Sequence, residues 1–355
     1  MSSADKVLIH SIVAHRYPKK LDRYRKILEH NGISCHMVDA SDKDYWGNIR
    51  TARAYVHHYV HREVEKQVAE SVLPVIENVY GVPVFPSYST RWHFDDKVRQ
   101  YYMLNAKGYP FIDSWIFWDR ESAFEWLETA TLPLVFKLKA GAGSRNVLLV
   151  GKRQQAVRLI KRMFDAEGIE SEYVPDSGSL SRLRNMFGTY RMRQWLAHKR
   201  GSIHYQDIKP YWQRQRDYVM FQRFLSGNEF DTRVSVIGNR AFAFRRWNRS
   251  GDFRASGSGR IDYEQSSVDK RCISLAFAIS EDFGFQSMAY DFLFDVDGNP
   301  QIGEISYTYM DKAVHACPGY YDRQLNWCEG HFWPQFCILQ DLLEEPSLIQ
   351  PVLSL

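Results

Sequence analysis

Apolar positions in the first hundred residues alternate between short continuous runs and helical spacing. Residues 6–13 (Lys-Val-Leu-Ile-His-Ser-Ile-Val) read as a buried strand. A helix from about Lys19 to His30 follows, ended by Asn31-Gly32, and Ser34 to Val38 reads as the next strand. This β-α-β opening predicts a small parallel-sheet domain. Residues 50–79 carry one long amphipathic pattern, with Pro74 as a point of interruption. Gly81 to Tyr88 holds turn residues and a short apolar piece. Asp95-Asp96 then caps a helix to about Lys107, and Gly108-Tyr109-Pro110 stops it.

A second set of elements begins near Phe111. Strand patterns recur at 114–118, 134–139 and 146–150, with helices at 121–128 and 153–166. The segment 170–216 differs. Within 179–217 nine Lys/Arg stand against two acids, interleaved with Trp195, Tyr205, Tyr211 and Trp212, which predicts a basic helix at 181–198 and a loop. Strands follow at 218–225, 232–237 and 240–247, the last two joined by Gly238-Asn239 as a two-residue hairpin. A polar, glycine-rich loop spans 249–260. A helix at 268–283 leads to a hairpin over 288–306, and an aromatic helix in the tail 321–355 packs on the body.

Composition narrows the class. The 355 residues suffice for two or three packed units, and 45% hydrophobic with 25% charged content is that of a globular protein. A net charge of +4 permits an anionic ligand without arguing for nucleic acid. Aromatics at 15% suggest dense cores or a site that stacks on rings. The five cysteines (Cys35, Cys272, Cys317, Cys328, Cys337) include no CxxC pair, which favours a reducing, cytoplasmic setting. No signal core opens the chain, and no stretch approaches the roughly 20 apolar residues of a membrane helix. Cys317, Cys328, His315 and His331 match no common zinc spacing.

Three segments carry candidate chemistry. In 288–306, a two-residue turn on Asp297-Gly298 would place Asp291 directly across from Glu304. Like charges in that position destabilise a hairpin unless a hard cation takes their oxygens. A three- or five-residue loop would slip the register by one and break that pairing. Solvated acids on an exposed face are the alternative, but the apolar neighbours Ala289, Tyr290, Phe292, Leu293, Phe294, Ile302 and Ile305 argue for burial. The second segment, Leu134-Val-Phe-Lys-Leu-Lys-Ala-Gly-Ala-Gly-Ser-Arg-Asn-Val147, puts Lys137 and Lys139 on one strand face before a small turn, Gly141 to Ser144. Backbone N–H groups of such a turn can approach phosphate oxygens while a lysine supplies charge. It is neither a Walker A loop nor a dinucleotide fingerprint. Alone, it reads more readily as an ordinary hairpin with solvated lysines. The third segment is Asp231-Thr-Arg-Val-Ser-Val-Ile-Gly-Asn-Arg-Ala-Phe-Ala-Phe-Arg-Arg-Trp247 with Gly251-Asp-Phe-Arg-Ala255. It sets Arg233, Arg245 and Arg254 on or beyond paired strands, suited to carboxylate or phosphate or else solvated on an edge strand.

The order of these features resembles the ATP-grasp fold, and within it the RimK-like branch of carboxylate–amine ligases with its glutathione-synthetase relatives. The resemblance covers roughly residues 94–312, most specifically Phe221 to Ala255. It implies an α/β chain, α+β in its ATP-binding part. An N-terminal pre-ATP-grasp domain would occupy 1–95, a central subdomain with the basic insertion 96–220, and a C-terminal subdomain with the metal site and helical tail 221–355. It implies that Lys97 and Lys137 hold ATP phosphates under a lid containing Gly141, Gly143 and Ser144. Gln222, Arg223, Phe224 and Leu225 would form the hinge against adenine, with Glu229 towards the ribose. Asp291 and Glu304 would bind Mg²⁺, and Arg233, Arg245 and Arg254 would face the acyl phosphate and the acid. Two departures stand out. Ser306 replaces the family's Asn beside the metal, which leaves one magnesium site open, and Ala255-Ser256 follows Gly-Asp-Phe-Arg where the family has Asn.

The implied function is an ATP- and Mg²⁺-dependent ligase acting through an acyl phosphate. Its expected partners are small-molecule carboxylate and amine substrates, an amino acid and a sugar acid or peptide being favoured. Neither nucleic acid nor membrane insertion is expected, and a homodimer is compatible. A small-molecule kinase and a non-catalytic nucleotide-binding module stay open as alternatives. The sequence names no general base for the amine.

Overall fold

The computed structural model describes residues 6–11, 18–141, 147–166, 168–170, 214–249, 253 and 259–353. The expected basic helix at 181–198, most of the insertion, Gly143, Ser144 and Arg254 lie outside them.

The first sheet is wholly parallel, in the order β2 (Cys35–Val38), β1 (Lys6–His10), β3 (Ala52–Val56), β4 (Val84–Phe85). Helices α1 (Pro18–His30), α2 (Tyr45–Arg50) and α3 (Glu63–Asn78) connect its strands. β1 is buried along four of its five residues, as a strand covered on both faces must be. One expectation fails here. Residues 50–79 are not a single helix, because Ala52–Val56 forms a central strand between β1 and β4. Ala54, Tyr55 and Val56 are fully buried there, and that tertiary burial outweighs a helical spacing of apolar residues. Pro74 lies inside α3 and does not divide it.

A four-stranded antiparallel sheet follows, ordered β5 (Ser114–Phe117), β10 (Val219–Arg223), β6 (Leu134–Lys137), β7 (Val147–Val150). α6 (Arg120–Thr129) and α7 (Arg153–Phe164) cover it, and β8 (Ile169–Glu170) pairs with β9 (Arg214–Gln215) at its side. The third sheet is larger and antiparallel: β15 (Pro300–Ser306), β14 (Ser287–Phe294), β11 (Phe230–Ile237), β12 (Arg240–Trp247), β16 (Gly319–Tyr321), β17 (Trp327–Glu329), with β13 (Ile261–Asp262) beside β12. α8 (Lys270–Asp282) packs on one face. The tail is a short hairpin, β16–β17, before a single helix, α10 (Pro334–Leu342), which comes after α9 (Asp311–Ala316). The expected tail helix is thus confined to nine residues, started by Pro334 at its first turn.

The described residues form two hydrophobic cores. One runs continuously from the parallel sheet into the large antiparallel sheet, and the other belongs to the four-stranded sheet alone. Helix α5 (Lys97–Ala106) bridges them, giving Val98 to the small core and Met103 and Leu104 to the large one.

Candidate active site

A cavity of about 270 Å³ opens between the four-stranded and large antiparallel sheets. Among the described residues five Lys/Arg side chains (Lys97, Lys137, Arg223, Arg233, Arg246) and three acids (Asp231, Asp291, Glu304) line it, a formally positive set that suits a polyanion.

Lys97 is the first residue of α5. Asp96 caps that helix by accepting the N–H groups of Val98 and Arg99. The Lys97 side chain is buried, donates to the Gly141 carbonyl at 2.9 Å and lies 3.2 Å from Glu304 Oε1. Gly141 adopts φ +115°, a backbone region that favours glycine, at the start of the expected lid. Lys137 ends β6 and donates to the Gly303 carbonyl at 3.3 Å. It lines the cavity yet is hemmed in by protein, and burial, with Lys97 adding to it against the pull of Glu304 and Asp291, brings its ammonium down to about 8.

The acids face each other as expected: Asp291 pairs with Glu304 across β14 and β15. The route to that pairing is different. The turn is a five-residue loop, 295–299, closed by the Phe294–Pro300 pair, and this alone would slip the register. A bulge at Gly303 restores it between Phe292–Ile302 and Asp291–Glu304. The bulged residue leaves the ladder, and its carbonyl is the one Lys137 takes.

Asp291 is held by arginines. Arg233 meets it bidentately, Nε to Oδ1 and Nη2 to Oδ2, both 2.7 Å. Arg246 Nη2 lies 2.8 Å from Asp291 Oδ2 and, with Nε, also grips Asp231 at 2.5 and 2.7 Å. Burial would push the Asp291 carboxyl up, but Arg233 and Arg246 hold it well below the usual carboxylate range. Asp231 moves the other way, raised by burial and by Asp291 against the pull of Arg246. Arg246 itself is raised by these two carboxylates in spite of its burial.

The structure therefore brings Arg233 into the cavity and leaves Arg245 out of it. Arg245 pairs with Thr232 on the opposite face of the sheet and stacks over Phe230 at 4.3 Å. Arg246 and Asp231 occupy the site in its place. Sequence reading had the means to find them: the two-residue turn at Gly238-Asn239, counted along the hairpin, sets Arg246 opposite Asp231 and puts Arg233 on the same face. His61 and Asn228, also in the lining, had no such signal.

Gln222, Arg223, Phe224 and Leu225 line the cavity where β10 leaves the small sheet for the large one. Gln222 is buried and donates to Ser114 Oγ at 3.1 Å, and the Phe224 ring meets Phe253 edge-on at 5.7 Å. Glu229 is exposed, and the lining passes from Asn228 to Asp231 without it. Ser306 lines the cavity, but its hydroxyl serves a local turn, donating to the Thr308 carbonyl and accepting the Thr308 N–H. Cys317 donates towards the Ala243 carbonyl and His331 Nδ1 meets the His315 carbonyl.

The residues fit a magnesium–phosphate complex. Magnesium takes one or two carboxylates and completes its shell with phosphate oxygens and water. Of the roughly four lone-pair directions of Asp291, the two arginines use three, and Glu304 has Lys97 as its one ion-pair partner among the described residues.

No protein-family model and no curated protein matches the chain. Among solved structures it is similar to a RimK domain ATP-grasp protein from Sphaerobacter thermophilus (TM-score 0.55, 13% identity, 96% of this chain and 99% of that one). It is likewise similar to D-alanyl-alanine synthetase A from Vibrio cholerae (0.59, 11%, 97% and 100%) and to the D-cycloserine synthetase DcsG (0.53, 14%, 96% and 99%).

Proposed function

We propose, from the premise that the chain has the ATP-grasp fold, that it is an ATP- and magnesium-dependent ligase joining a carboxylate to an amine. The observation that carries this reading is the cavity itself. It sets two lysines and two facing carboxylates between two sheets, with a strand-to-strand hinge at one side.

Lys97 and Lys137, which line the cavity, would hold phosphates, and the hinge Gln222–Leu225 would give backbone and apolar contacts to a base. Asp291 and Glu304 would hold Mg²⁺. ATP, when bound with magnesium, supplies the phosphoryl group that turns the acid into an acyl phosphate, and the amine then displaces phosphate. The protein's part is positioning and charge neutralisation. Arg233 and Arg246, already aligned by their bonds to Asp231 and Asp291, present fixed guanidinium edges to an anionic acid. An amino acid joined to a sugar acid or a peptide is the favoured substrate pair. Five free cysteines support a reducing, cytoplasmic setting.

The test is ADP release with Mg-ATP on a panel of amino acids crossed with uronic acids and peptides, products weighed by mass spectrometry. A product lighter by one water than its two substrates is expected. A phosphate added to one substrate, with no amine required, would make the chain a kinase instead. Asp291→Asn should lower turnover by about 100-fold or more, and an unchanged rate would remove the metal assignment.

A further inference from the structure

His61 is the one cavity-lining residue among those described that comes from the N-terminal parallel-sheet unit. It follows β3 in a loop pinned at several points. Tyr307, just past β15, donates to the Tyr59 carbonyl at 2.6 Å. The buried Glu65 of α3 accepts the Val60 N–H at 2.9 Å and pairs with Arg62 at 3.4 Å. The His61 ring rests against Phe94, centroids 4.8 Å apart.

His61 Nδ1 lies 2.9 Å from Asp95 Oδ1, although its N–H direction misses a linear bond. Nδ1 is fully enclosed while the side chain keeps 16% of its surface accessible, so the accessible edge is the one away from Asp95. Asp95 is itself buried and sits at φ +55°. Burial would push its carboxyl up, yet His61, Lys66 and Lys97 hold it well below the usual range. Among the described residues, Asp95, Glu65 and Lys66 are charged groups near His61, with Lys97 beyond Asp95.

A chain of contacts links this dyad to the phosphate end of the cavity. Asp95 Oδ1 also accepts the Gly141 N–H at 2.8 Å, and Gly141 in turn accepts from Lys97, which reaches Glu304. An imidazole whose inner nitrogen faces a buried carboxylate and whose outer edge faces a reaction cavity has the arrangement of a general base.

We propose that His61, oriented by Asp95, accepts the proton of the attacking amine; the proposal rests on the ligase reading above. The amine lone pair forms the C–N bond as the acyl carbon–oxygen bond to phosphate breaks. The electron pair of that bond leaves with inorganic phosphate. The surplus proton on nitrogen passes to Nε2, and the resulting imidazolium is stabilised by Asp95.

The test compares two nucleophiles on wild type and H61Q, using the acid that supports ADP release in the panel. Hydroxylamine is largely unprotonated at neutral pH and traps an acyl phosphate as a hydroxamate without a base. In H61Q, amide formation with an amino-acid amine should fall by about 100-fold and lose its acidic limb in the pH–rate profile. Hydroxamate formation and ADP affinity should stay within about threefold of wild type, as for a general base confined to the amine step. Equal losses with both nucleophiles would make His61 a positioning residue and overturn the proposal, as would an amide rate and pH profile unchanged in H61Q. Absence of hydroxamate from wild type would instead overturn the ligase reading.

Discussion

Arg245 and Arg246 are adjacent on β12, so their side chains leave the sheet on opposite faces. Removing Arg246 leaves Asp231 buried without its guanidinium, and an uncompensated buried charge costs about 3–5 kcal/mol. Arg246→Ala is therefore expected to unfold at markedly lower denaturant and to lose nucleotide affinity, whereas Arg245→Ala keeps that affinity. Equal effects in a paired denaturation and ADP titration would contradict the face assignment. Lys137 offers a second test at this scale. Its ammonium is depressed to about 8, so near that pH part of the population is neutral, while bound phosphate favours the charged form. ADP binding at pH 8 should take up protons, and affinity should fall as pH rises through 8. Lys137→Arg should abolish both effects because guanidinium stays charged. Titration calorimetry in two buffers of different ionisation enthalpy reads the uptake, and identical heats would refute it. The sign for stability is opposite. The unfolded state holds this proton more tightly, so stability from this group rises with pH between about 8 and about 10.4.

At the scale of elements, the β14–β15 hairpin shows how two deviations cancel. A five-residue loop shifts the register by one, and the Gly303 bulge shifts it back, so Asp291 and Glu304 meet as a simple two-residue turn would have had them meet. Local signals at Asp297-Gly298 led to the right pair through the wrong loop. Helix α5 is the other element on which the site depends, because its first residue is Lys97 and its cap is Asp96. Asp96→Ala should cost about 1 kcal/mol of stability and weaken ADP binding beyond that, since the cap sets where Lys97 enters the cavity. A melting curve lowered as expected with unchanged ADP affinity would separate the cap from the site.

At the scale of the molecule, the cavity exists because two sheets with separate cores face each other, joined by α5 and the hinge. A ligand bound between them stabilises the assembly by mass action, about 2.7 kcal/mol at a hundredfold excess over its dissociation constant. Mg-ADP should raise the melting temperature, excess EDTA should reverse most of the gain, and no shift with either would sink the nucleotide reading. Among the described residues no helix is long and apolar enough to cross a membrane. The sequence by itself determined the elements whose signals are local: the two-residue turn at Gly238-Asn239, the Asp96 cap with Lys97 at the start of α5, and the strands around Asp291 and Glu304. Each rests on neighbouring residues, where steric and hydrogen-bonding rules act directly. Only the tertiary structure decided that Ala52–Val56 is a strand, that Asp291 meets Arg233 and Arg246, and that His61 meets Asp95. These depend on burial against partners tens to hundreds of residues away, and local hydrophobic spacing carries no record of which distant face will cover it.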